Sequence, residues 1–88
     1  MLEIDWDAVN GWHNPVISPF HYFSMSPAAT GLHYGIQCFE GMKAYKDKEG
    51  RIRMFRPDKN MARLNHSMTR LAMPGFNADG FMTCLKTL

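Results

Sequence analysis

Pro57 and the Pro74-Gly75 pair bracket a stretch whose apolar residues, Met61, Leu64, Met68, Leu71 and Ala72, recur every three or four positions. That spacing is the period of an α-helix with one buried face. Pro57 suits the first helical position, where its missing N–H has no partner to lose. Pro74-Gly75 stops the helix, so a helix over 57–73 is predicted, with those five residues as its core stripe. Asn77 then reads as an N-cap. Phe81, Cys84, Leu85 and Leu88 follow at i, i+3, i+4 and i+7, the mark of a second amphipathic helix. This helix meets no Gly or Pro and stops on an apolar residue in mid-stripe, so Leu88 reads as a truncation point.

A hairpin precedes the first helix. Phe39 to Lys46 alternates Phe39, Gly41, Lys43 and Tyr45 with Glu40, Met42 and Ala44. Asp47-Lys48-Glu49-Gly50 has the composition of a four-residue turn, and Arg51 to Phe55 is the return strand. Gly41 within the outgoing strand suggests a bulge or a close backbone approach. Leu32 to Cys38 fits either one helical turn or an approach strand. Residues 1–30 are irregular, punctuated by Pro15, Pro19 and Pro27, with room for one or two short strands between Val16 and Phe23. The expected class is α+β: an antiparallel hairpin packed with two helices, in an incomplete domain.

Composition narrows what such a domain can do. At 88 residues folding buries only roughly 60–65% of the unfolded chain's surface, which leaves stability marginal. Eight Met residues make the core soft and adaptable. A net charge of +2, with scattered Lys and Arg, argues against nucleic acid as a partner. No apolar run is long enough for a membrane span, and the acidic N-terminus resembles neither a secretory signal nor a transit peptide. Cys38 and Cys84 are too few and too far apart for a disulfide scaffold. With His13, His21, His33 and His66 they show no zinc-type spacing, so no metal site is expected. Asn65-His66-Ser67 matches a glycosylation acceptor, but within a predicted helix it is a chance match.

The block Leu32-His33-Tyr34-Gly35-Ile36-Gln37-Cys38-Phe39-Glu40-Gly41-Met42-Lys43-Ala44-Tyr45 goes further. With Arg51-Ile52-Arg53-Met54-Phe55-Arg56-Pro57 and Asn60-Met61-Ala62-Arg63-Leu64, it resembles the N-terminal small domain of the branched-chain amino-acid aminotransferases. These are fold-type IV pyridoxal-phosphate enzymes. The resemblance runs over nearly the whole chain, so residues 1–88 are expected to be part of that small domain, with the domain that bears the cofactor lysine absent. The looser frame is shared with D-amino acid aminotransferase and aminodeoxychorismate lyase.

The resemblance implies three site residues. Tyr34 and Phe39 would line the pocket for the substrate side chain; without the resemblance they read as two core aromatics. An apolar aromatic wall suits Leu, Ile and Val, whose side chains offer only area to bury. Arg63 would bind the cofactor phosphate, which the planar guanidinium fork can hold by two oxygens. Helical periodicity alone places Arg63 elsewhere. At 100° per residue it falls roughly 130° from the centre of the apolar stripe, on the solvated face beside Arg70. The two readings agree if a second domain brings the cofactor against that face.

No catalytic residue is expected in these 88 residues. Lys43 follows the signature, but a lysine in a half-exposed hairpin is an ordinary solvated charge. Lys46, Lys48, Lys59 and Lys86 have no supporting pocket either. The pair Glu40-Gly41 reads as structural. The function implied is reversible amino transfer from L-leucine, L-isoleucine or L-valine to 2-oxoglutarate, by a dimeric enzyme in the cytosol or mitochondrion, not a secreted one. As a fragment the chain would be inactive. Two rivals remain: a short non-catalytic product that pairs with the complete enzyme, and a sister fold-type IV enzyme.

Overall fold

The computed structural model describes all 88 residues. The chain divides into two compact units, one of Met1–Ser26 with Asp79–Leu88, the other Pro27–Ala78. The class is the expected α+β, but with three antiparallel strand pairs and three helices rather than one hairpin and two helices.

In the first unit, β1 (Leu2–Glu3) pairs with β4 (Val16–Ile17), and β2 (Trp6–Asp7) pairs with β3 (Gly11–Trp12) inside that loop. The inner turn closes because the Asp7 carboxylate accepts backbone N–H bonds from Val9 at 2.7 Å and Asn10 at 2.8 Å. The backbone N–H of Asn10, then the side chains of His13 and Asn10, hold the Asp7 carboxyl far below the usual carboxylate range. Gly11 supplies the left-handed φ of +73° that the turn needs. Both pairs lie mostly outside the 16–23 window expected to hold strands. Two-residue strands show no readable alternation, and here turn chemistry rather than periodicity sets them.

The second unit opens with a one-turn helix, α1 (Thr30–His33), which takes in only Leu32 and His33 of the stretch read as a helical turn or an approach strand; Gly35 to Cys38 are neither helix nor strand. Gly35 follows in the left-handed region at φ +62°, its carbonyl accepting the Gln37 N–H at 2.8 Å. The hairpin β5 (Ala44–Lys46) and β6 (Ile52–Met54) has the expected turn between its strands, with Tyr45 opposite Arg53. Asp47 organises it, accepting from the backbone N–H of Glu49 at 3.0 Å and Arg51 at 2.8 Å, and from the guanidiniums of Arg51 and Arg53. The outgoing strand is shorter than expected. Phe39 to Lys43 lies outside the paired strands, so Gly41 marks no bulge, and no protein atom stands within 4 Å of where its Cβ would be.

Helix α2 (Pro57–Arg70) starts at the expected proline. Met61 and Met68 are the only buried apolar side chains of the chain, and Leu64 is half-buried. Leu71 and Ala72, assigned to the same stripe, are exposed and lie past the helix end. Ala72 adopts φ +55°. Its N–H bonds the Thr69 carbonyl at 3.1 Å and that of Met73 bonds Met68 at 2.9 Å, a Schellman closure with alanine where glycine is usual. A left-handed alanine carries strain, so Ala72→Gly is expected to stabilise by about 0.5–1 kcal/mol, read as a higher denaturation midpoint.

Beyond the closure, the Asn65 amide bonds Phe76 on both backbone atoms, at 3.0 and 3.3 Å. A Cβ on Gly75 would stand 3.2 Å from the Asn65 oxygen, so glycine permits the approach. Asn65 is thus occupied internally, which fits a chance match to the glycosylation motif. Helix α3 (Ala78–Thr87) follows Asn77 directly, with Phe81, Cys84 and Leu85 half-buried and Leu88 exposed. No helix is long and apolar enough to cross a membrane.

Candidate functional site

The polar centre of the second unit is Glu40. It sits in the unpaired segment between α1 and the hairpin, and its side chain is only 12% exposed. Its Oε2 accepts from Arg63 Nε at 2.8 Å and its Oε1 from Arg63 Nη2 at 2.7 Å, a side-on fork against the carboxylate. Oε1 also takes the Asn60 amide at 3.1 Å and the backbone N–H of Gly41 at 2.9 Å. Asn60 is buried, and the same amide donates to the Gly41 carbonyl at 2.8 Å. One asparagine of α2 therefore fastens the Glu40-Gly41 segment to the helix that carries Arg63.

Arg63 itself is 63% exposed, as the periodicity of α2 requires. It is nevertheless not a free surface cation. Nε and one face of Nη2 are turned to Glu40, which leaves the Nη1 side of the fork directed away from the carboxylate. Beside it lies a cleft of about 620 Å³ lined by Lys43, Tyr45, Phe55, Arg56, Lys59 and Arg63, among others. Arg56 reaches this rim in a left-handed conformation, φ +48°, directly before Pro57. Strain of this kind in a non-glycine residue gathers at ligand-facing positions. The lining combines four cations with two aromatic rings, a chemistry suited to an anion attached to a flat apolar body.

The pairing shifts both partners. The Arg63 guanidinium, more than the Asn60 amide and the Gly41 N–H, holds the Glu40 carboxyl below its ordinary range against the opposing effect of burial. Glu40 in turn raises Arg63. A carboxyl lowered on folding adds stability above its unfolded pKa and loses it as pH falls through the folded value. The Arg63 Nε–H signal in NMR is therefore expected to keep its paired position through about pH 4.3, where a free glutamate titrates, and to change only in more acidic solution.

Tyr34 and Phe39 are not core residues. Tyr34 closes α1 and is 81% exposed; Phe39 immediately precedes Glu40 and is 92% exposed. Neither lines the cleft beside Arg63. What sequence reasoning missed is the pair Glu40 and Asn60, and the role of Lys43, Arg56 and Lys59 as cleft lining. Two signals were available. Glu40 is an acid flanked by Phe39, Gly41 and Met42, a setting in which a carboxylate needs a partner. Asn60 stands one helical turn before Arg63, on a neighbouring face. The residues hold no cluster of three or more His, Cys, Asp or Glu side chains placed for a metal.

No protein-family model matches the chain. Individual relatives do, over all 88 residues. The chain is 48% identical to a branched-chain-amino-acid aminotransferase of Dictyostelium discoideum, of which it covers 23%. It is 42% identical to the mitochondrial branched-chain-amino-acid aminotransferase of Rattus norvegicus, covering 22%, and 44% identical to the cytosolic one of Caenorhabditis elegans, covering 21%. The chain is thus related along its whole length to the branched-chain-amino-acid aminotransferases, and it spans less than a quarter of the curated relatives it matches.

Proposed function

We propose that these 88 residues form part of the small N-terminal domain of a branched-chain amino-acid aminotransferase, with Arg63 as its phosphate anchor and Tyr34 and Phe39 as a wall of its side-chain pocket. The complete protein would move the amino group of L-leucine, L-isoleucine or L-valine to 2-oxoglutarate, as a homodimer in the cytosol or mitochondrion. The observation that carries this is the identity of 42–48% to three such enzymes across the whole chain.

The residues present fit pyridoxal phosphate. Arg63 keeps part of its fork unpaired at the rim of a cleft whose other charged side chains, Lys43, Arg56 and Lys59, are all cationic. Bound there, pyridoxal phosphate supplies the electron sink for chemistry at the amino-acid Cα. This chain's share is binding and orientation. Arg63 holds the dianion by charge-assisted hydrogen bonds and sets where the ring can lie. Tyr34 and Phe39, both largely exposed here, present apolar area that a branched aliphatic side chain can cover at about 25 cal/mol per Å². The lysine that carries the cofactor belongs to a further domain, and none of Lys43, Lys46, Lys48, Lys59 or Lys86 takes that part.

The test is a paired assay of the complete protein with 2-oxoglutarate as acceptor. Glutamate formed from L-leucine and not from D-alanine supports the reading. A preference for D-alanine overturns it in favour of a sister enzyme acting on D-amino acids.

A further inference from the structure

We infer that Glu40 is a positioning residue for Arg63: it takes the Nε side of the guanidinium, is itself fixed to the helix by Asn60, and so turns the remaining edge of the fork toward the anion. The inference rests on the phosphate-anchor reading of Arg63 and adds to it the group that aims the anchor.

Three features carry it. Arg63 is exposed, so packing does not select among the many rotamers its long side chain can adopt. The two hydrogen bonds to Glu40, at 2.8 and 2.7 Å, set both the position and the plane of the guanidinium. Glu40 in turn is little exposed and is tied at Oε1 by Asn60 and by the Gly41 N–H. A restraint made of mobile groups would aim nothing; this one is anchored in α2 through a buried side chain.

The charge balance points the same way. A site that needed only positive charge would gain by lacking a carboxylate 2.7 Å from its arginine. Glu40 offsets part of the attraction Arg63 offers an anion, and Lys43, Arg56 and Lys59 around the cleft already supply charge. What Glu40 adds is direction: with Nε and one face of Nη2 occupied, the fork's end is the edge left for phosphate oxygens. Removing the carboxylate therefore has opposite consequences under the two accounts. Charge alone predicts tighter anion binding, and positioning predicts weaker binding.

The experiment uses the complete enzyme, with dissociation constants for pyridoxal phosphate and for phosphate-free pyridoxal followed by cofactor absorbance. Glu40→Gln keeps the side-chain shape and one acceptor oxygen. It is expected to weaken pyridoxal phosphate by about tenfold, to leave pyridoxal unchanged, and to add nothing further in the Arg63→Ala background. A tighter or unchanged affinity for pyridoxal phosphate overturns the inference. So does an equal loss for both ligands, or an additive double variant, since each means that Glu40 acts on structure and not through Arg63. If Arg63→Ala alone leaves the affinity unchanged, the phosphate-anchor reading fails and this inference with it. An Arg63 effect without a Glu40 effect sinks this inference only.

Discussion

Arg63→Ala in the complete protein is expected to lower affinity for pyridoxal phosphate by about tenfold to a hundredfold, the worth of one or two charge-assisted hydrogen bonds. The loss should appear as cofactor released on dialysis, while the far-UV circular dichroism stays that of the parent. The side chain is mostly exposed and lies on the face of α2 away from Met61 and Met68, so its truncation removes little packing. Glu40 keeps the Asn60 amide and the Gly41 N–H when the guanidinium is gone. Arg63→Lys separates charge from geometry. An ammonium keeps the charge but cannot occupy Glu40 on one side and present a planar edge on the other. It should fall between the parent and alanine, and an affinity equal to the parent's would mean that charge alone suffices. An Arg63→Ala variant that holds cofactor as the parent does would remove Arg63 from the site.

The second large effect concerns stability. Met61→Ala is expected to destabilise the complete protein by about 2–5 kcal/mol, read from the urea midpoint at constant slope. Met61 is 3% exposed and shares with Met68, at 9%, the whole of the buried apolar core of these 88 residues. No other buried apolar side chain is present to take up the lost volume. Met61→Leu conserves volume and should cost less than about 1.5 kcal/mol. A Met61→Ala change that stays within the small range of surface substitutions would show that α2 is held by something other than its apolar stripe.

The same helix carries both effects, and this is how fold and site are joined in the second unit. Met61 faces the core, Asn60 beside it reaches back to Glu40, and Arg63, one turn on along a face neighbouring that of Asn60, reaches the same carboxylate. A change that frees α2 from its core therefore also loosens the Glu40 clamp. Met61→Ala is expected to weaken cofactor binding indirectly, whereas Glu40→Gln should do so with little change in stability of the helix.

Exposure on this scale also bears on the family reading. Tyr34, Phe39, Phe55 and Ile52 are mostly uncovered in the second unit, as are Phe20 and Tyr22 in the first. Single exposed apolar residues are ordinary on a protein surface, and large aromatics are enriched where a surface is covered by another chain or domain. The chain is less than a quarter of its relatives' length.

What could be read from the sequence was local. Pro57 set the start of α2, the 3–4 spacing named a five-residue stripe of which Met61 and Met68 are buried, Leu64 is half-buried and Leu71 and Ala72 are exposed, and Asp47 to Gly50 marked the turn of the hairpin. Each rests on a proline, a glycine or a periodicity whose physical effect acts within a few residues. The block from Leu32 to Tyr45 identified the relatives, because residue order is itself what that comparison measures. The end of α2 was not legible: Ala72 takes a conformation that its side chain disfavours, and the Ala72–Thr69 and Met73–Met68 backbone bonds close the helix there. The nested strands of the first unit were hidden too, since pairs of two residues carry no pattern. Above all, the sequence places Glu40 and Arg63 twenty-three positions apart, one in a strand-like block and one on a polar helix face. Nothing in the spacing joins them. The two-point hydrogen bond between them is a product of the tertiary structure, in which Asn60 holds the Glu40-Gly41 segment against α2 and brings the carboxylate within reach of the arginine.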